Sequence, residues 1–553
     1  MRLLISVVRG HTDCAVAELP STAQRSTTTH SPGAAGLSRR QFVSAIAGLG
    51  AAGCVRLPWS LSRTRPVAIV GGGIAGLTAA HTLVDAGIPV VVYEASTRVG
   101  GRMHSHRDGY WDDGQVTEWC GELIDANHET LLALARQFDL PIVDLQADQP
   151  AGARPTYFVL GEHYRWERAD EDFKPVRDVL ARDFHEAGAV TTFAASTPAA
   201  VRLDFMSVRE WIESRVPGGI RSPVGAILDV AFASEYGADT ADLSALNLAD
   251  LLGRQQFGMP SARQYHIAGG NEQLPLRIAE LLAPGVLALG WRLVALARRS
   301  DESVVLTFAT PEGTREVNAD HVILALPFAV LRTLDYQRAG FDVLKHRAIQ
   351  EVGRGRNAKL HMQFRRRVWT TPGPWGLANG ASVTDLGYQT MYEVSRGQAG
   401  ATGILVNYRG GAVADRLRPS SPYTTGSTLG LAAEGRWLLA NLDRVWPGVA
   451  DAWNGKIALS APALDPNLGC SYSYWRVGQY HTVRGYERIR QRNIHFAGEH
   501  CSIEFQGYME GAAAEGIRAA NEVRRDLGVR RSQTTVLGRH RYLSCRCEAR
   551  SSE

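Results

Sequence analysis

Lysine is nearly missing from this chain. Lys174, Lys345, Lys359 and Lys456 are the only four among 60 basic side chains, and the rest are arginine. The 56 acidic residues almost cancel them, so no large charge of either sign draws the chain to nucleic acid. The one dense basic stretch, "FRRRVW" (364–369), reads as a solvated face or a loop. Cysteine is sparse as well. Cys14, Cys54, Cys120, Cys470, Cys501, Cys545 and Cys547 form no C-x-x-C pair and have no histidine neighbour at zinc spacing. Neither a disulfide framework nor a metal site is expected, which leaves cofactor chemistry to an organic group. The apolar stretch Phe42–Val55 is shorter than the ~20 residues that span a bilayer.

What is present at the N-terminus is a processing signal. "SRRQFVSAIAGLGAAGC" (38–54) places Arg39-Arg40 before a short apolar, small-residue stretch, the pattern of twin-arginine export to the periplasm or beyond. Membrane contact is expected only if Cys54 is lipidated. Residues 1–60 are assigned to this leader, and the polar tail 529–553 to disorder. The 553 residues suffice for two or more domains with large cores.

The first chemical motif is "VAIVGGGIAGL" (67–77). A β-type run ends in Gly71-Gly72-Gly73, Ile74 and Ala75 follow, and Gly76 completes G-x-G-x-x-G before a helical stretch. Such a turn lets backbone approach a pyrophosphate at a helix N-terminus. "PVVVYEA" (89–95) supplies the next strand. It ends in Glu94 and Ala95, where an acidic side chain meets ribose hydroxyls and repels a 2′-phosphate. "ASTRVGGRMHS" (95–105) then adds a second glycine turn, Gly100-Gly101, and Arg102, whose guanidinium can neutralise pyrophosphate. Nicotinamide-binding domains have no need of that second turn, so the pattern points to FAD.

With these motifs the chain resembles the flavin amine oxidase family, and the resemblance continues along most of its length. "TEWCGELID" (117–125) is similar to the family's next flavin-contacting turn, which implies cofactor contacts at Gly121, Glu122 and Leu123. "YHIAGGNEQLPLRIAELL" (265–282) resembles its Gly-Gly segment opening a helix. "LGWRLVAL" (289–296) resembles the strand that meets the adenine, placing Leu293 there. "ADHVILALPFAVLR" (319–332) reads as a return strand ending in Pro327. "IHFAGEHCSIEFQGYMEGAAAEGIRAA" (494–520) delivers Glu499 towards the ribityl chain, and its turn Gly507-Tyr508-Met509 opens a helix onto the flavin.

The implied fold class is α/β. A Rossmann-like FAD-binding domain comprises 65–125, 260–340 and 490–528, interleaved with an α+β substrate domain of 126–259 and 341–489. Within the latter, "HETLLALARQFDLP" (128–141) has helical spacing. "AKLHMQF" (358–364) and "GILVNY" (403–408) are strands of a sheet over the flavin, while 188–200 and 418–427 read as loops.

The resemblance also implies the chemistry. The lysine matching Lys359 reaches flavin N5 through a water in the family. Tyr472 and Tyr508 fall at its two aromatic-cage positions, with Trp475 bracing the cage or lining its entrance. Some relatives tether FAD through a cysteine near Cys470, but Ser471 breaks that spacing, so non-covalent FAD is expected. The arginine that clamps a carboxylate in L-amino-acid oxidases is replaced by Ile124. The expected activity is oxidative deamination of an L-amino acid or a primary amine, with O2 reduced to hydrogen peroxide. A homodimer is left open. A carbon–carbon desaturase of the superfamily would have no use for Lys359 or the paired tyrosines, and a non-catalytic flavoprotein would lose the cage.

Overall fold

The computed structural model describes residues 65–253, 263–426 and 429–530. Arg39-Arg40, Cys54 and nearly all of the C-terminal tail lie outside these residues.

Val67–Val70 (β1) is an unbroken β-branched and apolar run, buried on both faces, as a central parallel strand must be. Ile74–Asp85 (α1) follows it and returns the chain to Val90–Glu94 (β2). In the parallel five-stranded sheet β2 and β1 are neighbours. Leu287–Leu289 flanks β2 on one side, while Val322–Leu324 and then Ile494–Phe496 extend the sheet beyond β1. One sheet is thus assembled from strands far apart in the chain. The last helix, Met509–Asp526 (α2), covers α1. Its face is Ala512, Ala513, Gly516, Ala519 and Ala520. Small side chains let the two backbones come close enough for Thr78 Oγ1 to donate to the Ala513 carbonyl at 3.1 Å. A Cβ on Gly516 would collide with the Ala75 carbonyl oxygen and Thr78 Oγ1.

A second, eight-stranded sheet makes up the other half. Asn357–Phe364 (β3) lies near its centre, between Gly403–Gly410 (β4) and Trp453–Ser460. Gln389–Glu393, Ala378–Thr384, Arg154–Val159 and Glu162–Tyr164 continue beyond β4. Two stretches expected as loops are partly ordered. Residues 198–200 open the helix Pro198–Asp204, whose N-terminus is capped by the Thr197 side chain accepting from Ala200 N. Tyr423–Thr425 pairs as an edge strand with Ser460, Leu459 and Ala458. A local cap with proline in the first turn starts the helix, and pairing with a distant strand orders the second stretch, each against a composition rich in turn-formers.

The seam between α1 and α2 yields a direct test. Gly516→Val forces backbone apart where no side chain can yield, so destabilisation of at least about 3 kcal/mol is expected, the upper range of overpacking. Thermal unfolding of the variant should show a large fall in midpoint or loss of soluble protein. A variant melting with the parent would mean that this seam carries no packing load.

Candidate active site

The nucleotide end is built on glycine. Gly71 has φ +108°, and a Cβ there would lie 2.6 Å from the Ala325 carbonyl oxygen. Gly76 packs so closely on Gly71 that no Cβ fits. Helix α1 begins at Ile74 and Ala75 with no side-chain cap and no acidic residue in its first turn. Its N-terminal dipole end is therefore open to an anion. The second glycine turn docks on the first. Gly100 N donates to the Gly72 carbonyl at 2.9 Å, and a Cβ on Gly101 would stand 3.3 Å from the Gly73 Cα. Both Glu94 oxygens are held by backbone, Oε2 by Gly72 N at 2.6 Å and Oε1 by Ser96 N at 2.8 Å. Ala95 continues from there, and Trp291 N donates to the Glu94 carbonyl at 2.8 Å. That contact brings the start of Arg292–Arg298 beside the acidic strand end, with the Leu293 side chain buried. This cradle fits a dinucleotide pyrophosphate and adenosine.

Arg102 and Glu499 have a different arrangement from the expected one. The expectation sent the guanidinium to pyrophosphate and the carboxylate to the ribityl chain; here they pair at 3.0 Å. Arg102 also donates to the Ser471 carbonyl at 2.9 Å. Glu499 accepts from Ser473 N at 3.0 Å, Ser473 Oγ at 2.8 Å and Gly507 N at 2.9 Å. Two charges this deeply buried require partners. Burial works against both charged forms, yet each prevails: Glu499 keeps Arg102 above its usual value, and Arg102 holds Glu499 below the carboxylate range.

The turn Gly121-Glu122-Leu123 is tied to this centre, since Gly121 N donates to the Arg102 carbonyl at 2.8 Å. Met509, at the start of α2, presses against Gly121, where a Cβ would sit 2.7 Å from its Sδ. Asn271, which the sequence does not mark out, is fully buried beneath this turn. Its Nδ2 donates to the Gly121 carbonyl at 3.1 Å and the Glu122 carbonyl at 2.8 Å, and its N–H meets Glu118 at 2.7 Å. Burial pushes the Glu118 carboxyl up to about 8.

Lys359 is buried in β3 and reaches the same turn. Its ammonium donates to the Glu118 carbonyl at 3.1 Å, to the Cys120 carbonyl, and to Glu122 Oε2 at 3.0 Å. All three protons have protein acceptors, an arrangement that the expected cavity-facing lysine did not include. Tyr392 donates to the same Glu122 oxygen at 2.8 Å.

The aromatic cage is also a hydrogen-bonded unit. Tyr408 stands directly across β4 from Lys359, and its hydroxyl meets that of Tyr472 at 2.8 Å. Tyr472 donates to the Glu235 backbone carbonyl and rests on Gly507, where a Cβ would lie 3.7 Å from the ring. The Glu235 carboxylate lies close enough to Tyr508 to raise its phenol. Both expected cage tyrosines are half-buried and converge on Glu235, the penultimate residue of the helix Pro223–Tyr236. Burial, then Tyr408 and Glu235 for Tyr472 and Glu235 and Asp125 for Tyr508, raises both phenols well above their usual range. They stay protonated. Glu235 is itself raised by burial, with Asp125 adding to it.

Trp475 does not line an entrance. It is 1% exposed and lies tilted against Tyr480, 5.9 Å between ring centroids. Its carbonyl accepts from Ser244 N and Asn247 Nδ2, which suits a brace. Ile124 is wholly buried. Cys470 is buried too, and its thiol is pushed up to about 11 by burial. Tyr392, Tyr408 and Glu235 were missed in sequence. Only Glu235 left a signal there, as one of two carboxylates in the otherwise apolar "PVGAILDVAFASEY".

Known proteins of this geometry agree with one another. The chain is 25% identical to a putative L-amino-acid oxidase of Bacillus subtilis, over 83% of this chain and 94% of the relative. It is equally 25% identical to polyamine oxidase 2 of Arabidopsis thaliana, over 84% and 89%. Among solved structures, cyclohexylamine oxidase from Brevibacterium oxydans superposes with a TM-score of 0.71 at 21% identity, covering 84% of this chain and 99% of that one. A putrescine oxidase bound to putrescine gives 0.69 at 21%, covering 83% and 99%. The family model for flavin-containing amine oxidoreductases matches residues 74–524. That match spans most of the chain, which belongs to this family and is an FAD-dependent enzyme of amine oxidation.

Proposed function

We propose that the enzyme oxidises an amine that carries no carboxylate beside the reacting carbon, with FAD held non-covalently. The observation that carries this reading is the position of Glu235, whose backbone carbonyl accepts from Tyr472 and whose carboxylate raises the Tyr508 phenol. Glu235 also acts on Tyr472, and Asp125 adds its charge beside Tyr508. A substrate carboxylate would meet repulsion there, and the position of the family's carboxylate clamp holds buried Ile124. A cationic amine is drawn in by the acidic group and by the negative faces of the rings.

Hydride leaves only an amine whose nitrogen lone pair is free, so the ammonium must first lose a proton. Glu235 is placed to attract the cation and take that proton, and the half-buried aromatic walls favour the neutral form that results. The glycine turns at Gly71–Gly76 and Gly100–Gly101 would hold the flavin, which would supply a two-electron acceptor that O2 can reoxidise with formation of hydrogen peroxide. The imine product hydrolyses to a carbonyl compound and ammonia. Lys359 fixes the 118–122 turn beside this reaction and sets a positive charge where reduced oxygen would bear a negative one.

Three outcomes test the reading. Glu235 is available as a base only above a pKa raised from the ordinary carboxylate value, so kcat/KM for an amine should climb with pH through that titration. Glu235→Gln should remove this limb and lower kcat/KM at neutral pH about tenfold or more, about 1.4 kcal/mol. A higher kcat/KM for an L-amino acid than for its decarboxylated amine would reverse the substrate assignment. Second, Lys359→Met should slow reoxidation by oxygen about tenfold while anaerobic flavin reduction changes little, and Tyr508→Ala should do the opposite. Stopped-flow of both half-reactions decides this. Lys359→Met/Glu122→Gln serves as the control, because it leaves no unpaired buried carboxylate. Third, a thiol near 11 presents almost no thiolate at neutral pH. Acid precipitation should therefore release yellow flavin from a colourless pellet, and a yellow pellet would implicate Cys470.

A further inference from the structure

On the far side of the nucleotide sheet stands a cluster that the oxidation chemistry does not use. His321 immediately precedes the strand Val322–Leu324, His495 is the middle residue of Ile494–Phe496, and Asp526 ends α2. The glycine turn follows the carboxyl end of β1, and in the register of this parallel sheet Val322 faces Ala68. His321 therefore lies at the amino ends of the strands, opposite the cofactor. The ligand-type atoms of His321, His495 and Asp526 all fall within 4.8 Å of one another.

The hydrogen bonding around His495 leaves one nitrogen without a partner. Nδ1 lies 2.9 Å from Glu522 Oε2. Glu522 also accepts from Arg518 Nη1 at 2.6 Å, so it takes hydrogen bonds as a carboxylate and Nδ1 donates. Nε2 of this wholly buried ring has no hydrogen-bond partner, and neither does Nδ1 of His321. The nearest acid to Nε2 is Asp526 Oδ2 at 3.5 Å. A bare imidazole lone pair facing a carboxylate oxygen needs a positive species between them. For a zinc ion with bonds of about 2.0–2.1 Å in tetrahedral geometry, adjacent ligand atoms stand about 3.3–3.5 Å apart. Glu522 against His495 Nδ1 is the outer carboxylate that orients a metal-binding histidine. Asp526 is exposed, and the oxygen that faces Nε2 also accepts from the surface residue Arg490. An ion entering from the solvent side would take the place of that guanidinium.

We infer that His321, His495 and Asp526 form a binding site for one divalent transition ion of the zinc class, outside the active site, clamping the edge strand Ile494–Phe496 and the end of α2. Two imidazoles with one carboxylate favour zinc, cobalt or nickel over magnesium or calcium. The three residues are far apart in sequence, so the absence of a zinc-type spacing did not bear on them.

The test uses untagged holoenzyme, stripped with a chelator, incubated with zinc chloride and freed of excess by gel filtration. About one zinc per chain should remain by elemental analysis, and cobalt chloride should give visible ligand-field bands. His321→Gln and Asp526→Asn should each weaken binding about 10–100-fold while flavin content and amine turnover stay at parent levels. Should His321→Gln lose flavin, and so its fold, the surface variant Asp526→Asn decides alone. Retention of no zinc by the parent, or equal retention by parent and Asp526→Asn, overturns the site. In that event a proton fills the gap and His495 is an imidazolium between Glu522 and Asp526. Turnover is measured separately, so failure here leaves the amine-oxidase reading untouched.

Discussion

The buried pair Arg102–Glu499 is the contact on which the two halves of the molecule depend. Glu499 accepts from the second glycine turn through Arg102, from the cage segment through Ser473, and from the start of α2 through Gly507. Arg102 in turn reaches Ser471 and, through its carbonyl, the 121 turn. Four segments that would contact the cofactor are thereby set relative to one another before any ligand arrives. Replacing Arg102 would strand the Glu499 carboxylate, which is almost wholly buried, at a cost of several kcal/mol. Such a pair adds little net stability over a well-packed apolar substitute. What it contributes is position, and flavin chemistry depends on position within tenths of an ångström.

A second polar system is organised in the same way but serves the substrate. Lys359, Glu122 and Tyr392 form one chain of contacts, and Tyr408, Tyr472, Glu235 and Tyr508 another. They meet in the substrate sheet, where Lys359 and Tyr408 are cross-strand partners and Tyr392 and Tyr408 rings stand 6.2 Å apart. A central strand of a large sheet is a stiff support, so each tyrosine hydroxyl is fixed at both its ring and its hydrogen bond. In this arrangement burial, with Asp125 adding to it, raises the proton affinity of Glu235 above that of an ordinary carboxylate.

Much of this was legible in the sequence because it is local. A strand, a glycine turn and an uncapped helix are consecutive, so Gly71 through Gly76 and Glu94 declare themselves within thirty residues. The cage positions Tyr472 and Tyr508 were reached through the family resemblance, which carries long-range information that spacing does not. What escaped was whatever depends on pairing between distant segments. Nothing in "GILVNY" says that Tyr408 will face Lys359, because register is set by the whole sheet. Asn271 looks like one more turn residue until the 121 turn lies on top of it. Scarcity was an imperfect guide as well: Lys345 is also buried, bonded to the Tyr486 and Glu487 carbonyls and lying 3.9 Å above the Phe496 ring. A rare residue marks a buried charge, and the partners decide whether that charge serves packing or chemistry.

The same long-range construction ties folding to the cofactor. The nucleotide sheet places Val67–Val70 beside Val322–Leu324, which in turn pairs with Ile494–Phe496, and α1 is covered by α2 and by the helix Gln273–Glu280. The sheet cannot close until nearly the whole chain is available, and such non-local pairings are the slow kind. Gly71, Arg102, Gly121 and Gly507 come together from opposite ends of the sequence. A flavin bound there adds its binding energy to the stability of a fold whose cofactor segments Arg102 and Glu499 already hold together.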